Sequence, residues 1–346
     1  MPPTVSVRFL SREDIIACGA LDMHAAMNDV ENALRLQAAG EGIMPAEVAL
    51  RWEADKPIDG STQGSETGAY ALPAYLGGSA PIVGVKWTAH RSPEAEGSDP
   101  RVMGLIVLTD PRSGRPFAVM ESALIGAVRT AAATGLAIRH LDRANAHCVT
   151  VIGAGLHART HLQMLAMLAP DAGHVAVVNR THSHAQRMVA ELRSRLPWEP
   201  EVRELSAVAV ADSDIVICCT AAAQPFFEAH WVHPGLLVVS VGPFELTYDA
   251  MRAFDAVVVD GWGAFKDTSL KGLFRMYRDG KFGESDVNAD LCGLILRGCT
   301  IPRSASVFVS LFGLSIFDIA VASRIARTAQ DRGIGREFPL FGTSGQ

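Results

Sequence analysis

Apolar positions along the chain follow two regimes. Up to about residue 130 they recur at helical or strand spacing between polar turns. A short strand, Ser6-Val7-Arg8-Phe9-Leu10, is followed by Ser11-Arg12-Glu13-Asp14, a helix-capping pattern. Ala25, Ala26, Val30, Ala33 and Leu34 then mark one face of a helix over about 22–39, which Gly40-Glu41-Gly42 ends. Strand-length runs follow at 48–51, 69–75, 82–87, 104–109 and 116–120, and predict one antiparallel or mixed sheet, with Asp110-Pro111-Arg112-Ser113-Gly114 turning its last hairpin. In the second regime the alternation disappears. The runs at 148–152, 174–178, 214–220, 235–242 and 256–260 are apolar throughout, as expected of parallel strands covered on both faces. A last run, 308–322, leads into a terminal helix so apolar that it should pack back on the first domain.

The first unbroken run carries the chemistry. Cys148-Val149-Thr150-Val151-Ile152 runs into Gly153-Ala154-Gly155-Leu156-His157-Ala158, a G-x-G-x-x-A dinucleotide fingerprint at a strand-to-helix turn. Gly153 allows the turn, Gly155 lets backbone approach a pyrophosphate, and Leu156 and His157 open a helix whose amides face the phosphates. At the tip of the next strand an acid would accept both ribose hydroxyls of NAD; Asn179-Arg180-Thr181 stands there instead. Arg180 can pair with a 2′-phosphate, which favours NADP(H), or it is a solvated loop arginine. Later strands end at Thr220, at Ser240-Val241-Gly242 and at Asp260, where ligands of open parallel sheets bind; Asp260 reads equally well as a helix cap.

Two cations interrupt apolar strands. Arg51 and Lys86 either snorkel outwards or meet an anion in a cleft. The segment 121–137 is a helix crowded with small residues around Arg129-Thr130; an arginine near a helix start opposes the dipole, which a bound anion would relieve, while tight packing is the plainer account. Composition adds exclusions. With 346 residues, 49% apolar and 20% charged, the chain is long enough for two globular domains. A net charge of −6 without a basic cluster argues against nucleic acid. No apolar run reaches the ~20 residues of a membrane span and no leader-like core opens the chain, which predicts a cytoplasmic protein. The six cysteines lack metal-ligand spacing and read as reduced core residues, so no metal is expected.

Together, Gly84-Val85-Lys86-Trp87, Leu108-Thr109-Asp110-Pro111-Arg112-Ser113-Gly114-Arg115-Pro116, Arg129-Thr130-Ala131-Ala132, the fingerprint and Phe312-Gly313-Leu314 resemble the ornithine cyclodeaminase and mu-crystallin family over about 51–335. The resemblance implies an α/β fold in which a Rossmann-type doubly wound parallel sheet, 131–314, is inserted in an α+β substrate and dimerisation domain, 1–130, completed by a C-terminal helix, 315–346. It implies a homodimer, a substrate carboxylate held by Arg51, Lys86 and Arg129, Thr130 beside the cofactor phosphates, and a substrate contact at Phe312-Gly313. Thr220, Val241 and Gly242 become cofactor neighbours.

The shared reaction moves a hydride between nicotinamide and the α-carbon of an amino or imino acid, and Lys86 is the candidate for its central role. Val85-Lys86-Trp87, Pro100-Arg101 and the 312–318 segment look most like the diaminopropionate-forming dehydrogenases of siderophore and antibiotic pathways, which cleave an N-substituted glutamate oxidatively; Arg101 would then hold a second carboxylate, or is a surface arginine. That branch uses NAD, whereas Asn179-Arg180-Thr181 is shared with NADPH-dependent ketimine reductases. Ornithine cyclodeaminases carry a catalytic aspartate after the strand ending at Gly242; this chain has Pro243-Phe244-Glu245 there. A mu-crystallin-like binding protein without turnover is the alternative of another class.

Overall fold

The computed structural model describes residues 5–52, 67–91, 99–267 and 269–341, and the opening residues 1–4 read above for a leader lie outside them. The chain forms two compact units, 1–129 with 314–346, and 130–313. The boundary falls inside the helix Ser122–His140.

The first unit is built on a mixed sheet. Its strands are β1 (Ser6–Leu10), β2 (Gly42–Ile43), β3 (Val48–Arg51), β4 (Gly68–Leu76), β5 (Ile82–His90), β6 (Val102–Thr109), β7 (Pro116–Glu121) and the late β16 (Arg336–Pro339). They lie in the order β16-β1-β7-β6-β5-β4-β2, with β3 also on β4, and only β1 with β7 is parallel. Asp110 closes the β6–β7 hairpin by accepting from Arg112 N–H (2.9 Å) and Ser113 Oγ (2.6 Å). Ser11 and Asp14 form the expected capping box of the helix Arg12–Ala17, and Asp22 caps Met23–Ala38 through Ala25 N–H. That second helix and the C-terminal helix Ser315–Arg332 pack on each other and on β4. Met27, Leu34, Ile106, Met120, Ile316 and Ile319 are fully buried there. Each such side chain contributes about 1.5–3 kcal/mol by leaving water.

The second unit is all parallel. Its strands β8 (Cys148–Ile152), β9 (His174–Val178), β10 (Glu201–Arg203), β11 (Ile215–Cys218), β12 (Leu237–Ser240), β13 (Ala256–Val259), β14 (Ala289–Asp290) and β15 (Val307–Ser310) form a sheet in the order β10-β9-β8-β11-β12-β15-β13-β14. The sequence order reverses at β8, from which β9 and β10 run one way and β11 and β12 the other, a doubly wound arrangement. The apolar runs are the central strands, buried along their length.

The run 308–322 differs from its reading. Its first part is β15, a central strand of the second unit, and only from Ser315 is it helix. A buried parallel strand and a buried helix are both apolar throughout, so composition cannot divide them. Gly313, with φ of +100°, makes the break.

Candidate functional site

The fingerprint glycines serve different masters. Gly153 has φ of +122°, and a Cβ there would lie 2.4 Å from the Cys219 carbonyl oxygen, so the fold itself requires it. Gly155, exposed and extended, precedes the 13-residue helix Leu156–Leu168 as its N-cap, and a Cβ there would meet nothing within 4 Å. The Gly155 carbonyl accepts from Arg159 N–H (3.2 Å), and the space where a Cβ would stand is open. It is the approach a pyrophosphate needs above the first helical amides of Leu156 and His157, and these residues therefore fit a dinucleotide. His161 of the same helix is fully buried: Nδ1 donates to the His157 carbonyl (2.7 Å) and Nε2 accepts from the Thr134 hydroxyl (2.9 Å). Burial pushes its pKa down to about 4, so it braces the turn as a neutral ring. Thr130, next to Arg129, is buried. At the tip of β9, Asn179 donates to the Thr181 carbonyl (2.8 Å), so its amide shapes the loop, while Arg180 is exposed and makes no ion pair among the described residues.

Glu245 ties the next two strand ends together. It is 1% exposed; one carboxylate oxygen accepts from Thr220 N–H (2.7 Å) and Oγ1 (2.8 Å), the other from Ser240 Oγ (2.8 Å) and Gly242 N–H (3.0 Å). Lys271 Nζ binds the Val241 and Gly242 carbonyls alongside. Burial raises the Glu245 pKa and the nearby Lys271 opposes the rise. Thr220, Val241 and Gly242 are thus brought together, but by a carboxylate whose two oxygens are spent on the chain itself. Asp260 accepts the Phe312 (2.8 Å) and Gly313 (2.6 Å) amides, and the Phe312 ring stacks on Phe265 with centroids 3.9 Å apart.

In the first unit, alternation puts Arg51, Tyr70, Lys86 and His90 on the helix-covered face of the sheet: Tyr70 lies opposite Thr88 and Leu72 opposite Lys86. Lys86 does not snorkel. It is buried, and its Nζ donates to Asp318 (2.8 Å), whose other oxygen accepts from Arg129 Nε (3.2 Å). Burial lowers the Lys86 pKa, Arg129 adds to the fall, and Asp318 resists it. Asp318 itself has no exposed surface and lies in the first turn of the C-terminal helix, where the helix dipole favours an anion.

Arg129 corrects the dipole argument: it is eighth in a helix that begins at Ser122, past the terminal turn, and its charge is met by Asp318 instead. The Arg51 guanidinium sits 5.5 Å from the Tyr70 ring centroid and 3.8 Å from Glu47. His90, 5.0 Å from Tyr70, is held near pKa 4 by burial and by the charges of Lys86 and Arg101. Arg101 is half-buried and accepts Arg91 N–H on its carbonyl (2.8 Å). The unit thus gathers Arg51, Lys86 and Arg129 with Arg101 at the margin, while Phe312 and Gly313 belong to the other unit. Sequence reasoning missed Asp318 and Glu47. Asp318 is the one charged residue in the run 308–322, the kind of lone acid that a buried lysine needs.

Comparison with known proteins completes the picture. The profile of the ornithine cyclodeaminase/mu-crystallin family matches residues 8–332. The N-((2S)-2-amino-2-carboxyethyl)-L-glutamate dehydrogenase of Staphylococcus aureus is 28% identical over 342 residues, 96% of this chain and 98% of that protein. The Thermococcus litoralis Delta(1)-pyrroline-2-carboxylate reductase in complex with NADH and L-proline superposes with a TM-score of 0.84 at 25% identity, over 95% of this chain and 99% of that one. An archaeal alanine dehydrogenase dimer with bound NAD gives 0.82 at 26% identity, over 97% and 100%. A dinucleotide turn, a buried cationic cluster and a match along nearly the whole length agree: this chain belongs to the ornithine cyclodeaminase/mu-crystallin family and is an NAD(P)-dependent oxidoreductase.

Proposed function

We propose that the enzyme oxidises the C–N bond of an N-substituted glutamate, releasing 2,3-diaminopropionate and 2-oxoglutarate. The observation that carries this reading is the buried Lys86–Asp318–Arg129 cluster, where two cations face one carboxylate and one positive charge is left to hold a substrate carboxylate. Arg51 adds a third cation on the same face and Arg101 supports a second carboxylate at its margin. In this reading Lys86, whose pKa burial lowers, contacts that carboxylate and the nitrogen beside it. The nicotinamide, when bound, exchanges a hydride with the substrate α-carbon. Water then splits the resulting C=N bond into an amine and a 2-oxo acid.

The S. aureus relative's name supports this substrate class, and the pyrroline-2-carboxylate reductases support the same chemistry run towards the amine. Ornithine cyclisation is disfavoured because the carboxylate in the loop that would handle protons, Glu245, is bound to four donors of its own chain.

For the cofactor, the exposed Arg180 favours NADP(H), through a 2′-phosphate. Titration of the purified protein with NADH and NADPH, followed by energy transfer from tryptophan, tests both points. NADPH binding about tenfold tighter, lost in Arg180→Ala, is expected. Tighter NADH binding that ignores Arg180→Ala would overturn the phosphate-reading role, and binding of neither would sink the oxidoreductase reading.

A further inference from the structure

Glu47 stands just before β3, four residues from Arg51, and strand alternation carries it to the face that bears Arg51 and Lys86. Its side chain is only 8% exposed. Among the described residues neither of its oxygens accepts a hydrogen bond: the one ionic neighbour within reach, Arg51, is 3.8 Å away, beyond hydrogen-bonding distance. Lys86 is close enough for its charge to act on Glu47, but its ammonium is engaged by Asp318. Buried carboxylates normally have donors, because desolvation without them is costly. The contrast inside this unit is direct, since Asp318, which is completely buried, has two. Among the described residues Glu47 therefore lacks N–H donors, and it lacks them beside the cations assigned to a substrate carboxylate.

An α-amino acid brings that combination: a carboxylate for cations and, one carbon away, N–H donors for an anion. We propose that Glu47 receives the substrate's amino nitrogen, accepting its N–H hydrogen bonds and taking the proton that the amine loses before its α-carbon can be oxidised. This rests on the carboxylate-holding role proposed for Arg51, Lys86 and Arg129. In the step, one N–H bond of the substrate ammonium breaks and an O–H bond forms on Glu47; the electron pair of the N–H bond stays on nitrogen as the lone pair that imine formation requires, and nothing is oxidised or reduced. Burial raises the Glu47 pKa against the opposing charges of Arg51 and Lys86, the direction that suits a carboxylate meant to accept a proton. A purely structural carboxylate would have recruited donors from the chain, as Asp318 and Glu245 do.

Matched ligand pairs differing only in nitrogen test this: L-glutamate against glutarate, L-proline against cyclopentanecarboxylate, L-alanine against propionate. Each is titrated calorimetrically into wild type, Glu47→Gln and Glu47→Ala, saturated with whichever reduced nicotinamide binds more tightly, so that the amines cannot turn over. Wild type should prefer the amine-bearing member of at least one pair, and both variants should bind that amine about tenfold or more weakly while binding its nitrogen-free partner as well as or better than wild type. Two variants guard against a folding defect in one. Equal losses for both members of a pair, or a preference that survives in both variants, would overturn the role of Glu47. If wild type binds carboxylates with no preference for the amine, the inference fails and the carboxylate-holding reading stands. If wild type binds no carboxylate at all, that reading fails and the inference with it.

Discussion

A carboxylate with no exposed surface survives only where cations hold it, and Asp318 has two. Replacing it by alanine would leave Lys86 and Arg129 buried without a counter-charge, at a cost of about 3–5 kcal/mol, whereas asparagine keeps an acceptor and should cost less. Urea unfolding followed by circular dichroism checks this: Asp318→Ala should shift the first transition to clearly lower urea with Asp318→Asn between it and wild type, and unshifted curves would remove Asp318 from its structural role. Lys86 in its apolar strand already demanded an anion or an outward path. That the anion is Asp318 was beyond reach of the sequence, because 232 residues separate the two. Glu245 teaches the converse. Its position invited a catalytic role, and only its four donors show that it is occupied in joining Thr220 to Ser240 and Gly242.

Among elements, the turn from β8 into the helix Leu156–Leu168 separates folding from binding within three residues. Gly153→Ala puts a Cβ against the Cys219 carbonyl at positive φ and should destabilise the second unit by roughly 2–4 kcal/mol. Gly155→Ala meets no atom of the protein and should leave stability within about 0.5 kcal/mol of wild type. It should nevertheless weaken dinucleotide binding by about tenfold or more, because the methyl group fills the space of the pyrophosphate. Paired melting and nicotinamide titrations would decide, and the same response from both variants would refute the division of labour. The fingerprint was legible because it depends on local backbone geometry. The run 308–322 was not fully legible, since hydrophobicity records that a segment is buried and not whether a sheet or a helix buries it.

For the molecule as a whole, the sheet face of the first unit opposite Lys86 is apolar and open. Val48, Leu50, Met103 and Leu105 are exposed on it, and Trp87, 46% exposed, stands among them. A contiguous apolar face of this kind calls for a cover, and we propose that a second copy of the chain supplies it. Light scattering should give a dimer mass for wild type and a monomer mass for Trp87→Glu combined with Leu105→Glu; an unchanged mass would place the interface elsewhere. Among the described residues no helix is long and apolar enough to cross a membrane.

By itself the sequence determined the class of most long elements, the parallel sheet, the dinucleotide turn and the family, because these follow from periodicity, glycine geometry and contiguous motifs. Tertiary structure alone decided which charges meet. The pairing of Lys86 and Arg129 with Asp318 depends on distance between residues remote in the chain, the surroundings of Glu245 and Glu47 depend on how the strand ends are folded about them, and electrostatics in a buried site is set by such distances and by the loss of water.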